Sequence, residues 1–190
     1  IYVEVGDGTV TTNNIPAYGF YDYSWSKSIY LQSELINEME INTVSYNVGN
    51  TPSNYILENQ SIYMKNTTEV IESTTYIDPT TDDTYELVFS GDITFNGGGW
   101  HDIDLDDVFE YNGTDNLEII VINNDGEYTS SQPNFLATSV TPERAAYKFA
   151  DNTFPAAEGT LSVLIPNMRF HFITENEPSM ATLTAPENNS

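Results

Sequence analysis

Cysteine is absent from all 190 residues, which excludes a disulfide framework and any Cys-ligated zinc. Basic residues are nearly absent too: Lys27, Lys65, Arg144, Lys148 and Arg169 are the five. Phosphate contacts require clustered cations, so nucleic acid is excluded as a partner class. Docking on an anionic membrane is excluded for the same reason. No apolar run approaches the roughly 20 residues that span a bilayer, so membrane insertion is not expected. The sequence also lacks G-x-S-x-G, H-E-x-x-H and any glycine-rich phosphate loop. Its two histidines, His101 and His171, stand alone and are read as structural. Long helix-period segments and an alternating βα pattern are both missing.

What remains is acidic, aromatic and rich in turn residues. The net charge is −24, which suits a surface that stays soluble in a salty medium, or affinity for divalent cations. The region 89–123 organises the rest. Phe89–Phe95 ends in Asn96-Gly97-Gly98-Gly99, where glycine accepts the positive φ of a tight reversal. His101, Ile103 and Leu105 then alternate with Asp102 and Asp104, giving one apolar and one wet face. Leu117–Ile122 is aliphatic except for Glu118, the pattern of a strand buried on both faces. The stretch reads as a β-meander with its most buried strand last.

Elsewhere the same signals predict strands at Ile1–Val5, Ser28–Leu31, Ile41–Val48 and Gln60–Lys65, the last two as partners. Leu31–Glu40 suits a turn of helix before Ile41. Asn123-Asn124-Asp125-Gly126 is the strongest hairpin signal, since Asp-Gly tolerates φ > 0. Strands follow at Phe135–Val140, Ala145–Phe149, Leu161–Ile165 and Met168–Phe172. Roughly ten short strands at 8–12-residue spacing predict an all-β, antiparallel two-sheet sandwich, jelly-roll-like. Residues 1–174 form that module. Residues 175–190 change composition and read as a linker, Glu175-Asn176-Glu177-Pro178-Ser179, with a truncated start of a fibronectin type III-like domain. Ile1 stands where a start methionine would, so the chain is expected to be a piece of something longer.

Three stretches carry a resemblance. They are Tyr18-Gly19-Phe20-Tyr21-Asp22-Tyr23-Ser24 with Ile29-Tyr30; Gly99-Trp100 through Leu105 and then Phe109–Leu117; and Ile165-Pro166-Asn167-Met168-Arg169-Phe170. Together they resemble a β-sandwich domain that recurs in large secreted and surface proteins of Bacteroidota. There it is often followed by fibronectin type III-like modules and a type IX secretion sorting domain. The resemblance implies an extracellular or cell-surface location and neighbouring domains in the same polypeptide. It brings no active site that could be carried over.

Two residue groups could carry chemistry. Asp106, Asp107 and Asp115 lie at the two ends of the Asp106–Asn116 connection, and closure of that connection would gather hard oxygen ligands for calcium. The run Asp102–Asp107 is not an EF-hand, because Asp107 and Gly113 stand where that loop needs Gly and Glu. The second group is aromatic. In an extended segment Tyr21, Tyr23 and Trp25 share a face, with Asp22 and Asn14 at hand to bond hydroxyls, and Trp100 elsewhere. Exposed rings flanked by such groups stack sugar faces, whereas buried ones would be core. The expectation is a non-catalytic, extracellular binding or adhesion module with carbohydrate the favoured ligand and calcium as cofactor. The alternatives are a structural spacer, or an accessory domain of a secreted protease or glycosidase.

Overall fold

The aliphatic run at 117–122 marks the middle of the molecule, because its two faces are buried against different material. The computed structural model describes residues 1–35 and 37–173; the linker and domain start expected over 175–190 lie outside the described residues. The elements in chain order are β1 (Tyr2–Val5), β2 (Val10–Thr12), β3 (Tyr23–Tyr30), α1 (Gln32–Leu35), β4 (Met39–Asn50), β5 (Tyr55–Thr67) and β6 (Glu86–Phe95). They continue with β7 (Gly99–Tyr111), β8 (Asn116–Asn123), β9 (Asn134–Ser139), β10 (Ala145–Ala150), β11 (Thr160–Ser162), β12 (Leu164–Pro166) and β13 (Met168–Ile173).

The strands form two antiparallel sheets packed as a β-sandwich. One runs β1-β13-β4-β9-β12, with β2 on β9 and β7 on β4; the other runs β11-β10-β3-β8-β5-β6. The pairings nest. β5 pairs β6, β4 pairs β7, β3 pairs β8, β2 pairs β9 and β1 pairs β13. Along β3, β4 and β5 the chain changes sheet at each step, and along β6, β7 and β8 it retraces the same changes. That is a folded ladder wound over two sheets, the jelly-roll path.

This winding corrects three expectations. β6, β7 and β8 are not a meander, because β7 lies in the other sheet from its neighbours. β4 does not pair with β5. Asn123–Gly126 turns the chain, with Gly126 at φ 79°, but β8 and β9 leave it for different sheets. Turn residues encode a reversal and not which sheet receives the next strand. The Gly97 and Gly99 positions do sit at φ 75° and 113°, a region where side chains are disfavoured.

Side-chain alternation along β8 splits the core in two. Leu117, Ile119 and Val121 face the main core between the sheets, beside Val44, Met64, Phe109 and Phe170. Ile120 and Ile122 face outward into a second core with Trp25, Tyr63, Tyr85 and Ala146. Residues 68–85 cover this outer face, contributing Tyr76, Ile77 and Tyr85, and Phe154 closes its other side. α1 is a single turn whose entry is capped: the Leu31 amide donates to Glu34 Oε2 at 2.8 Å, one half of a capping box.

Buried charges sit on the same outer face. Lys27 Nζ is 2.8 Å from Glu72 Oε2, and both side chains are almost fully enclosed. Lys65 Nζ is 3.1 Å from Glu118 Oε2, and the Tyr85 hydroxyl donates to Glu118 Oε1 at 2.7 Å. Glu118, the exception in the aliphatic run, is therefore buried with a cation and a phenol as partners.

Candidate functional site

Strand pairing gathers several loops at one end of the sandwich. Tyr23 opens β3 opposite Ala150, Ser24 lies opposite Asn123, and Asn50 closes β4 opposite Asn134. The connections 13–22, 51–54, 124–133 and 151–159 therefore emerge together. Their cross-links are specific. The Thr129 amide donates to Gly19 O at 3.0 Å, and the Thr129 hydroxyl donates to the Tyr55 hydroxyl at 2.8 Å. Gly126 N donates to Asp22 O at 2.9 Å. Gly19 is required here for close approach, since a Cβ would run into the Tyr55 hydroxyl.

On one side of these loops the rings form a cluster. Tyr21 lies 4.3 Å from Phe149 between centroids and Tyr18 lies 5.0 Å from Phe149. Phe20 is 5.5 Å from Tyr21 and 6.2 Å from Tyr128. Tyr147 stacks on Phe149 at 6.1 Å. Tyr18, Tyr21, Tyr147 and Phe149 are half-buried, while Phe20 is 39% and Tyr128 64% exposed. Burial, with Tyr21 close by, pushes the Tyr18 phenol up from its usual range, against a hydrogen bond from Asn13 that pulls it down. The Tyr18 phenol is thus a neutral hydrogen-bonding group around neutral pH.

The same loops also line a cleft of about 440 Å³, with Asn13, Asn50, Thr51, Ser130, Gln132 and Asn134 among its walls. Every lining residue is uncharged. Thr51 is only 7% exposed. Thr51 Oγ1, Gln132 Oε1 and Asn134 Oδ1 are buried oxygens with no hydrogen-bond partner among the described residues. Asn13 belongs to this cleft and also bonds Tyr18 in the ring cluster, so the apolar and polar parts are contiguous.

The residues singled out in the sequence are distributed differently from the expected platform. Tyr21 joins the ring cluster. Asp22 is at its margin, its Oδ2 accepting from the Asn152 amide at 2.9 Å. Tyr23 is half-buried at the start of β3. Trp25 is fully buried, and its indole Nε1 donates to Pro155 O at 2.9 Å. It therefore belongs to the second core and not to a ligand surface. The two-residue period holds for Tyr23 and Trp25, which lie in β3, and not for Tyr21, which precedes it; at Trp25 the face is covered by later parts of the chain. Trp100 is on β7 in the other sheet, its ring beneath the Arg169 guanidinium at 4.1 Å.

Asp106, Asp107 and Asp115 are not brought together. The connection expected to close there is strand as far as Tyr111. Asp104 lies opposite Thr43 and Tyr111 opposite Met39, a separation of roughly 13 Å along β4. Asp106 and Asp107 bulge out between Asp104 and Phe109, and Asp115 lies past Tyr111. Asp106 accepts from the Ser90 amide at 2.8 Å, and Asp115 accepts from Asn112 Nδ2 at 2.8 Å. Among the described residues no three His, Cys, Asp or Glu side chains converge as metal ligands.

One constellation has the residue types of a hydrolase without the geometry. Ser45 Oγ lies 2.7 Å from His171 Nε2 and 2.6 Å from Asp102 Oδ1. Asp102 Oδ1 is also 3.7 Å from the same Nε2. A nucleophilic triad needs the carboxylate on the opposite ring nitrogen, and Ser45 is fully buried. His101 is held by the turn, its Nε2 2.9 Å from Gly97 O.

The cleft residues were missed in the sequence because no single one is distinctive. Their signal is compositional: Asn50-Thr51-Pro52-Ser53-Asn54 and Ser130-Ser131-Gln132-Pro133-Asn134 are both amide- and hydroxyl-rich loops broken by proline. No protein-family model matches the chain, and no curated protein matches it in sequence.

Proposed function

We propose that this chain is a non-catalytic glycan-binding module of a larger secreted or surface protein. The observation that carries the reading is the contiguity of a half-exposed ring cluster with an uncharged amide and hydroxyl cleft. Sugars have apolar ring faces and polar edges, and such a pair of surfaces addresses both. An extracellular setting is supported by the resemblance described above and by the acidic composition.

A shallow surface of this kind gives weak binding, with Kd on the order of 0.1–1 mM, or about 4–5.5 kcal/mol. Neighbouring modules would then raise the effective affinity by avidity. The test is a glycan array followed by titration of the best hit into wild type, Phe20→Ala and Tyr21→Ala. Loss of one stacking ring is expected to weaken binding about tenfold, with Phe20→Ala leaving the melting temperature within about 2 °C, since a surface change costs within about 0.5 kcal/mol. An array with no hits on the wild type would make the domain a spacer.

A further inference from the structure

We propose that the cleft of Asn13, Thr51, Gln132 and Asn134 is a subsite for neutral, hydroxyl-donating glycans, and that it turns anionic glycans away. This inference rests on the glycan-binding reading above and names the chemistry of its ligand.

Five buried side-chain polar atoms lack a partner among the described residues, and three of them belong to residues that line this one cleft. The three are Thr51 Oγ1, Gln132 Oε1 and Asn134 Oδ1. Leaving a buried acceptor unpaired costs about 1–3 kcal/mol. Three in one place make this wall a spot where a ligand that brings donors gains most. Water filling the cleft in the free protein is itself a donor, so a ligand that displaces it must bring donors of its own. A sugar hydroxyl is both donor and acceptor, whereas a carboxylate or sulfate only accepts. The amide oxygens of Gln132 and Asn134 therefore accommodate the first and leave the second unmatched, whereas the Thr51 hydroxyl serves either.

Electrostatics point the same way. No cation lines the cleft, and every basic side chain is engaged elsewhere. Lys27 holds Glu72, Lys65 holds Glu118 and Arg144 holds Glu34. Arg169 holds Glu4, and Lys148 donates to Glu158 O. An anionic ligand would approach a body of net charge −24 with no free cation to receive it, and like-charge approach suppresses binding. The proximity of the ring cluster completes the picture: a pyranose face rests on Tyr21 or Phe20 while its hydroxyls reach the cleft.

The test uses the whole chain on an array of matched pairs. Oligomers of β-1,4-glucose and β-1,4-mannose are set beside their C6-carboxylated counterparts, with neutral and sulfated galactans added. At low salt the hits are expected to be neutral, with each carboxylated partner at least about tenfold weaker. The strongest neutral hit is then titrated into Thr51→Val, Gln132→Met and the control Thr51→Ser. Removing a hydrogen-bonding group at nearly constant volume should weaken binding about tenfold, the equivalent of one good hydrogen bond, and Thr51→Ser should restore it. Carboxylated or sulfated partners bound as tightly as neutral ones would overturn the inference and leave the glycan reading standing. So would neutral binding untouched by both Thr51→Val and Gln132→Met. No hit of either kind would overturn the glycan reading and this inference with it.

Discussion

Trp25→Ala should destabilise the fold by about 3–5 kcal/mol, the range for removing a large buried aromatic ring. The indole packs 5.5 Å from Tyr76 between centroids and sits against Ile120, Ile122 and Ala146 in the second core. Its removal opens a cavity and takes from Pro155 O one of its two donors, the Ala157 amide at 2.7 Å remaining. In a domain of this size the loss is expected as a fall of roughly 10 °C in melting temperature. A melt followed by far-UV circular dichroism measures it. Trp25→Phe should cost less, because most of the ring volume stays. A shift of under about 2 °C for Trp25→Ala would place the indole outside the core and return it to the ligand surface. Gly159→Ala is a second probe of the same packing, since its Cβ would meet the Trp25 ring at 2.6 Å.

Lys27→Met should cost about as much, roughly 3–5 kcal/mol, because breaking one partner out of a buried ion pair leaves a charge uncompensated. The carboxylate left behind is Glu72, whose Oε1 already has no partner. Burial pushes the Glu72 carboxyl up to about 7, Glu118 adds to the rise, and Lys27 opposes both. A carboxyl whose folded pKa lies above its unfolded value binds more protons folded than unfolded in the window between them. Its contribution to stability is therefore greatest in acid and is lost as pH rises from about 4.5 through about 7. Wild-type melting temperature should fall across that window, and Glu72→Gln should flatten the fall. Relief of the net negative charge in acid acts in the same direction, so the difference between the two slopes is the measurement. Equal slopes would remove Glu72 as the titrating group. Lys27→Met combined with Glu72→Leu should recover much of the loss seen with Lys27→Met alone.

Strand identity was legible in the sequence where burial pattern is local. The run at 117–122 read as buried on both faces, and β8 is; β4 and β13 lie where alternation put them. Pairing was not legible. Deciding that β4 lies between β13 and β7, and not beside β5, depends on contacts far apart in sequence. The same distinction governs the site. That Tyr23 and Trp25 share a face follows from a strand's two-residue period. That residues 68–85 fold over that face does not, because those residues carry no regular period of their own. The cleft is harder still, since its walls come from loops that meet only after both sheets form. Tyr21 and Asp22 were found because rings and carboxylates are conspicuous, and Thr51 and Gln132 were not.

The nesting of the strands has a mechanical consequence. β1 and β13 are the outermost pair of the ladder, antiparallel, with Tyr2 opposite His171 and the Phe172 amide donating to Ile1 O at 3.1 Å. Ile1 and Ile173 therefore lie side by side, at the end of the sandwich away from the cleft. Tension between those two points pulls across the hydrogen bonds one after another instead of shearing them all together. Under load β1 should peel from β13 like a zipper, beginning at Ile1. The loops around Thr51 and Tyr21, at the far end, would feel force only after the outer rung had opened.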